Sequence, residues 1–170
     1  MSKFSIMLSV ILVVATLACS KVKPEPEMIA DIQKLEQTEN LGEAITQIES
    51  FIKHYPESEN TPNFTAKLAD LYILANKDYQ KAIQIHREIV EKYPGTKLQV
   101  RSQFMIGYIY ANELKDYENA RIAYEQFLEK FPNDELAPSV RWEIQNLGVD
   151  ISQIPIAADQ HENEKGANKK

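Results

Sequence analysis

DYENARIAYEQFLEKFP, residues 116–132, decides how this chain folds, because two earlier stretches repeat its pattern: DYQKAIQIHREIVEKYP at 78–94 and NLGEAITQIESFIKHYP at 40–56. The step is 38 residues throughout: Ala44, Ala82 and Ala120 are so related, as are Pro56, Pro94 and Pro132, and Tyr55, Tyr93 and Phe131. Phe51, Ile89 and Phe127 follow the same step, and so do Ile52, Val90 and Leu128. Asn40, Asp78 and Asp116, all helix-capping types, head the three copies. Ser58, Thr96 and Asp134, again capping types, follow the prolines. A period of this size marks stacked supersecondary units, none of which can bury its apolar face alone.

Each copy has the logic of a helical hairpin. A second helix is expected to open at the Asn or Asp, run about four turns with apolar residues at helical spacing, and stop at a proline that cannot continue it. The expected buried faces are Ala82, Ile85, His86, Ile89 and Val90 in one copy and Ala120, Ala123, Tyr124, Phe127 and Leu128 in the next. The recurring alanines mark where two helices cross closely. First helices carry Leu68, Ala69 and Tyr72, then Ile106, Gly107 and Tyr110, and small Ala69 and Gly107 predict a second close approach.

The pattern Leu-Gly-x2-Tyr, Ala-x3-aromatic, Pro, present as Ile106-Gly107, Tyr110, Ala120, Tyr124 and Pro132, resembles the tetratricopeptide repeat. Copy two follows it through Leu68-Ala69, Tyr72, Ala82 and Pro94, with His86 in the aromatic slot. Copy one keeps Ala44 and Pro56, with Ile48, Asp31 and Lys34 at the other positions, as suits a terminal cap whose outer face meets water. The period exceeds the usual 34 of that repeat, and one extra residue lies between the small residue and the Ala. The resemblance implies an all-α, right-handed solenoid of about three hairpins over residues 28–148. A capping helix at Leu136–Leu147 closes it, Gly148 ends it, and 149–170 form a polar tail in which only Ile151, Ile154 and Ile156 can fold back.

The N-terminus has the form of an export signal: Lys3, then an apolar run from Phe4 to Ala18, shorter than the roughly 20 residues that span a bilayer. Thr16-Leu17-Ala18-Cys19 resembles the lipobox of bacterial lipoproteins, which implies cleavage after residue 18 and acylation, palmitate included, at Cys19. Residues 19–27, with Pro24 and Pro26, read as the lipidated cysteine and an extended tether. Ser20 in place of Asp implies the periplasmic face of the outer membrane. Repeat endings such as Phe127 to Pro132 are similar to those of envelope lipoproteins, namely the lipoprotein subunit of the outer-membrane assembly machine and the Tol-Pal-associated cell-division coordinator.

The composition narrows function by exclusion. A net charge of -6 argues against nucleic acid, and one cysteine excludes an internal disulfide. His54, His86 and His161 show no metal-ligand spacing, and Pro94-Gly95-Thr96-Lys97 lacks the strand and first glycine of a phosphate loop. No catalytic constellation, cofactor or small-molecule substrate is expected. The expected activity is protein or peptide binding in the cell envelope, on the concave face that first helices line. By the repeat pattern its positions are Asn63, Ala66, Asp70, Ile73 and Leu74 in copy two, and Arg101, Phe104, Tyr108, Ala111 and Asn112 in copy three. Phe104 either stacks on a partner there or packs on Trp142 one repeat later. Two functions fit: a scaffold or adaptor that uses this groove, and an accessory subunit of an assembly or Tol-Pal machine that uses its other faces.

Overall fold

A computed structural model describes residues 22–149. The first hairpin is α1 (Glu25–Gln37) and α2 (Leu41–His54). The second is α3 (Thr61–Leu71), continued by a π-helical turn at Tyr72–Asn76, with α4 (Tyr79–Lys92). The third is α5 (Lys97–Tyr108), continued by a π turn at Ile109–Glu113, with α6 (Tyr117–Lys130), and α7 (Ala137–Gln145) closes the series. Consecutive helices pack on one another along the whole series, the arrangement of a tetratricopeptide-type helical solenoid. Among the described residues there is no strand, and no helix is long and apolar enough to cross a membrane. The expected signal segment, Cys19 and the tail beyond Val149 lie outside the described residues.

The second helices begin one residue after Asn40, Asp78 and Asp116 and end two residues before the prolines. Asp78 and Asp116 accept the backbone N–H groups of Lys81 and Asn119. Asn40 departs from this: its amide donates to Glu43 and caps no backbone group. After the prolines only Thr96 caps its helix directly. Ser58 and Asp134 instead accept the N–H two residues on, at Asn60 and Leu136, and so shape a turn ahead of α3 and α7.

Ala44, Ala82 and Ala120 are fully buried, and so is Ala69. A Cβ on Gly107 would run into the Tyr124 ring, so the first and second helices of that hairpin touch backbone to aromatic face. Val90 and Leu128 are half-buried rather than core, while Ile83, which the helical spacing passed over, is buried.

In the second and third hairpins the extra residue is taken up by the π turns. A π turn is a one-residue insertion in an α-helix. Here the i→i+5 bonds run from Lys77 N–H to Tyr72 C=O and from Leu114 N–H to Ile109 C=O, and wider bonds from Asp78 N–H to Tyr72 C=O and Asp116 N–H to Tyr110 C=O follow. Glu39, Lys77 and Lys115, again 38 residues apart, then adopt left-handed conformations with φ of 55, 52 and 54°. No glycine advertises these turns.

The tether expectation needs correction at its C-terminal end. Pro26 lies in the first turn of α1, where a missing N–H is harmless because that group has no helical acceptor. Helix therefore begins at Glu25. The Tyr55 hydroxyl donates to the Lys23 carbonyl at 2.6 Å, and Lys23 pairs with Asp31 at 2.6 Å, so the chain already lies against the first hairpin at Lys23.

Candidate protein-binding groove

Successive hairpins are joined by a repeated side-chain link. The Tyr72 hydroxyl donates to Glu49 at 2.6 Å, which pushes the Tyr72 pKa up to about 12, and Arg87 donates to the Tyr110 hydroxyl at 3.1 Å. Glu49 and Arg87 are equivalent positions on α2 and α4, so each first helix is tied to the second helix before it. Below these links the inter-hairpin turns are sewn by buried polar groups: Thr61 donates to the Tyr55 carbonyl, and Gln99 bridges Gly95 N–H and the Val90 carbonyl. The α3 and α5 helices also pack directly on each other, whereas no comparable packing joins α2 to α4 or α4 to α6. First helices therefore line the inner face.

On that face the structure brings some of the expected residues together. Arg101 meets Asp70 at 3.3 Å and joins the second hairpin to the third. Burial holds the Asp70 carboxyl above its usual range, and the Arg101 charge offsets this only in part. Phe104 is half-buried against Tyr108 and Tyr124, with ring centroids at 6.3 and 5.9 Å. These rings, not Trp142, are its aromatic neighbours. Tyr108 is exposed, and its backbone carbonyl accepts from Asn112. Asn63 is exposed near the start of α3.

Arg101 and Phe104 line an open depression of about 650 Å³ between α5 and the turn before α7. Lys97, Val100 and Met105 complete it on α5, and Asn133 to Leu136 form its far wall. Repeat spacing pointed to the α5 residues at its positions but not to that wall, because the wall comes from a turn brought alongside by stacking. Its basic side, Lys97 and Arg101, faces Asp134 and Glu135. Such a lining suits an apolar side chain flanked by polar backbone, with charges of both signs at the rim. Asn112 lies elsewhere, in a second depression with Trp142 and Tyr117.

His86 is buried within the second hairpin, where its Nδ1 lies 3.3 Å from the Ser102 hydroxyl and its Nε2 has no partner. Burial, then the Arg101 charge, pushes its pKa down to about 4. It is a neutral core side chain. Among the described residues no group of three or more His, Cys, Asp or Glu is placed to hold a metal ion.

Residues 67–96 and 101–134 match the family model of the tetratricopeptide repeat. The matched segments contain the C-terminal end of α3 with its π turn and all of α4, then most of α5 with its π turn and all of α6. The first hairpin, whose sequence keeps least of the tetratricopeptide pattern, lies outside the match. No curated protein matches the chain. Tetratricopeptide repeats indicate a protein-protein interaction module, and the inner face just described is where such a module offers exposed side chains on rigid helices.

Proposed function

We propose that this chain is a lipid-anchored scaffold or adaptor of the bacterial cell envelope that docks a protein or peptide partner in the groove centred on Arg101, Phe104 and Tyr108. The observation that carries the groove is the α5 face. Arg101 and Phe104 border an open depression and Tyr108 is exposed one turn further along the helix, while the packing positions Ile106 and Gly107 are buried. The anchor rests on the apolar run Phe4 to Ala18 ending at Cys19, and the periplasmic face of the outer membrane is the proposed location.

The Arg101–Asp70 pair is more than a third exposed on both sides, and such pairs contribute at most about 1 kcal/mol to stability. Removing Arg101 and Tyr108 therefore leaves the fold standing. Partners captured from detergent-solubilised envelopes and identified by mass spectrometry provide the assay. The double variant Arg101→Ala, Tyr108→Ala is expected to weaken capture by about 2 kcal/mol, roughly 30-fold, because Arg and Tyr are enriched among binding hot spots. Undiminished capture by a variant that keeps its helical circular dichroism moves the binding site off this face. The second reading, an accessory subunit that docks through a terminal face, is favoured by the exposed Trp142 and Tyr117 at the C-terminal end.

A further inference from the structure

The joints between successive first helices recur on the 38-residue step, and the last one is incomplete. At the first joint Lys67 on α3 reaches back to Glu36 on α1 at 2.8 Å. At the second the same positions carry Met105 and Leu74, with no charge to satisfy. At the third they carry Glu143 on α7 and Asn112 in the π turn after α5. Among the described residues Glu143 pairs with no cation. The Asn112 amide turns away from it and donates to the Tyr108 carbonyl at 3.2 Å. Burial without a counter-charge holds the Glu143 carboxyl above its usual range. A half-buried carboxylate in that state gains by taking up a cation.

The surroundings of Glu143 say which cation. It lines an open groove of about 490 Å³ between α7 and the α5–α6 turn, with Trp142 and Tyr117 as aromatic walls exposed to 46% and 41%. The Asn146 amide, like that of Asn112, donates to its own helix, at the Trp142 carbonyl 2.7 Å away. Both side-chain oxygens are thereby left as acceptors at the groove. Lys115 is the one cation among the lining residues; it stands exposed at the rim and pairs with no carboxylate among the described residues. A compact ammonium would meet the carboxylate alone. A guanidinium is planar, so it can lie on the indole face while its fork of N–H groups meets the carboxylate and the amide oxygens.

We propose that this groove receives an arginine side chain of a protein partner, its guanidinium paired with Glu143 and stacked on Trp142. Charge selects the occupant: the third joint lacks the cation that Lys67 supplies at the first, in a chain whose net charge is -6. A second copy is equally acidic, and its overall field opposes the approach. The partner's arginine would complete the joint, and the inference rests on the accessory-subunit reading only in taking the terminal face as a docking surface. The α5 groove plays no part in it, so the two sites stand or fall by separate measurements.

Trp142 is the chain's one tryptophan, so its fluorescence reports this groove alone. The full chain is titrated with the peptide acetyl-Gly-Arg-Gly-amide and with the same peptide carrying citrulline, which keeps the shape of arginine and loses its charge. The arginine peptide is expected to change the Trp142 emission saturably in about the millimolar range, as suits one docked side chain, and the citrulline peptide to leave it unchanged. Glu143→Gln is expected to weaken the arginine peptide at least about tenfold while circular dichroism stays helical. An equal response to citrulline, an undiminished response in the variant, or no saturable response overturns the proposal. Emission that shifts with protein concentration, together with a rising sedimentation coefficient, also overturns it and assigns the groove to a second copy. A titration seen only in a chain ending at Val149 overturns it as well, in favour of the chain's own later residues.

Discussion

At the scale of single residues, His86 has the clearest energetic consequence. Its imidazole is neutral in the fold, with a pKa pushed from 6.5 to about 4 by burial. The unfolded chain takes up a proton near pH 6.5, and the folded one only near 4. The stability contributed by neutral His86 is therefore complete above about pH 6.5, is lost progressively as the pH falls toward 4, and amounts to about 3 kcal/mol. Urea midpoints measured across that window are expected to fall more steeply for the natural chain than for His86→Leu, which cannot titrate. Parallel curves would show that other groups cause the acid sensitivity. The sequence marked His86 as a core or half-buried residue because it occupies an aromatic slot. That its Nε2 finds no partner depends on the neighbouring helices, which the sequence does not display.

At the scale of the element, the hairpin crossing pairs a small residue with a ring. Gly107 stands against Tyr124, and 38 residues earlier Ala69 and the smaller ring of His86 hold the equivalent positions. Gly107→Ala is expected to cost about 1 to 3 kcal/mol by overpacking, read as a lower melting temperature with helix content kept. Tyr124→His should relieve much of that cost, so that the double variant is more stable than the two single losses added together predict. Strict additivity would mean that the two positions do not share the strain. Both residues were legible in the sequence, since size and spacing alone flagged them. The π turns were not: the extra residue was countable, but that it became a widened helical turn beginning at or beside Tyr72 and Tyr110, which bond to Glu49 and Arg87, shows only in the structure. The left-handed Lys77 and Lys115 were equally hidden, because lysine carries no signal for that conformation.

For the whole molecule, the first hairpin sets how the domain would sit on its proposed anchor. The Tyr55 bond to Lys23 leaves only four residue steps from Cys19, at most about 14 Å. The expected nine-residue spacer is thus mostly taken into the fold, and a lipid at Cys19 would hold the first hairpin close to the headgroups. Cys19→Ala is expected to abolish fatty-acid labelling and leave the precursor uncut. Mature protein lacking residues 1–18 that still sediments with membranes in this variant would refute the lipid anchor. The same chain geometry puts the α5 groove two hairpins away from that end, open to a partner.

The amino-acid sequence by itself determined the helical hairpins, their number and the residues at their crossings, because a 38-residue recurrence of caps, alanines and prolines leaves the backbone few other ways to bury its apolar face. It also pointed to Arg101, Phe104 and Tyr108 as one exposed helical face. Only the tertiary structure decided what lies opposite them. The Asp70 partner, the Asn133–Leu136 wall and the Tyr124 ring beside Phe104 come from other helices and turns of the chain. Periodicity reports which way a side chain points along its own helix. The small rotation between stacked hairpins, which no local pattern encodes, sets what that side chain meets.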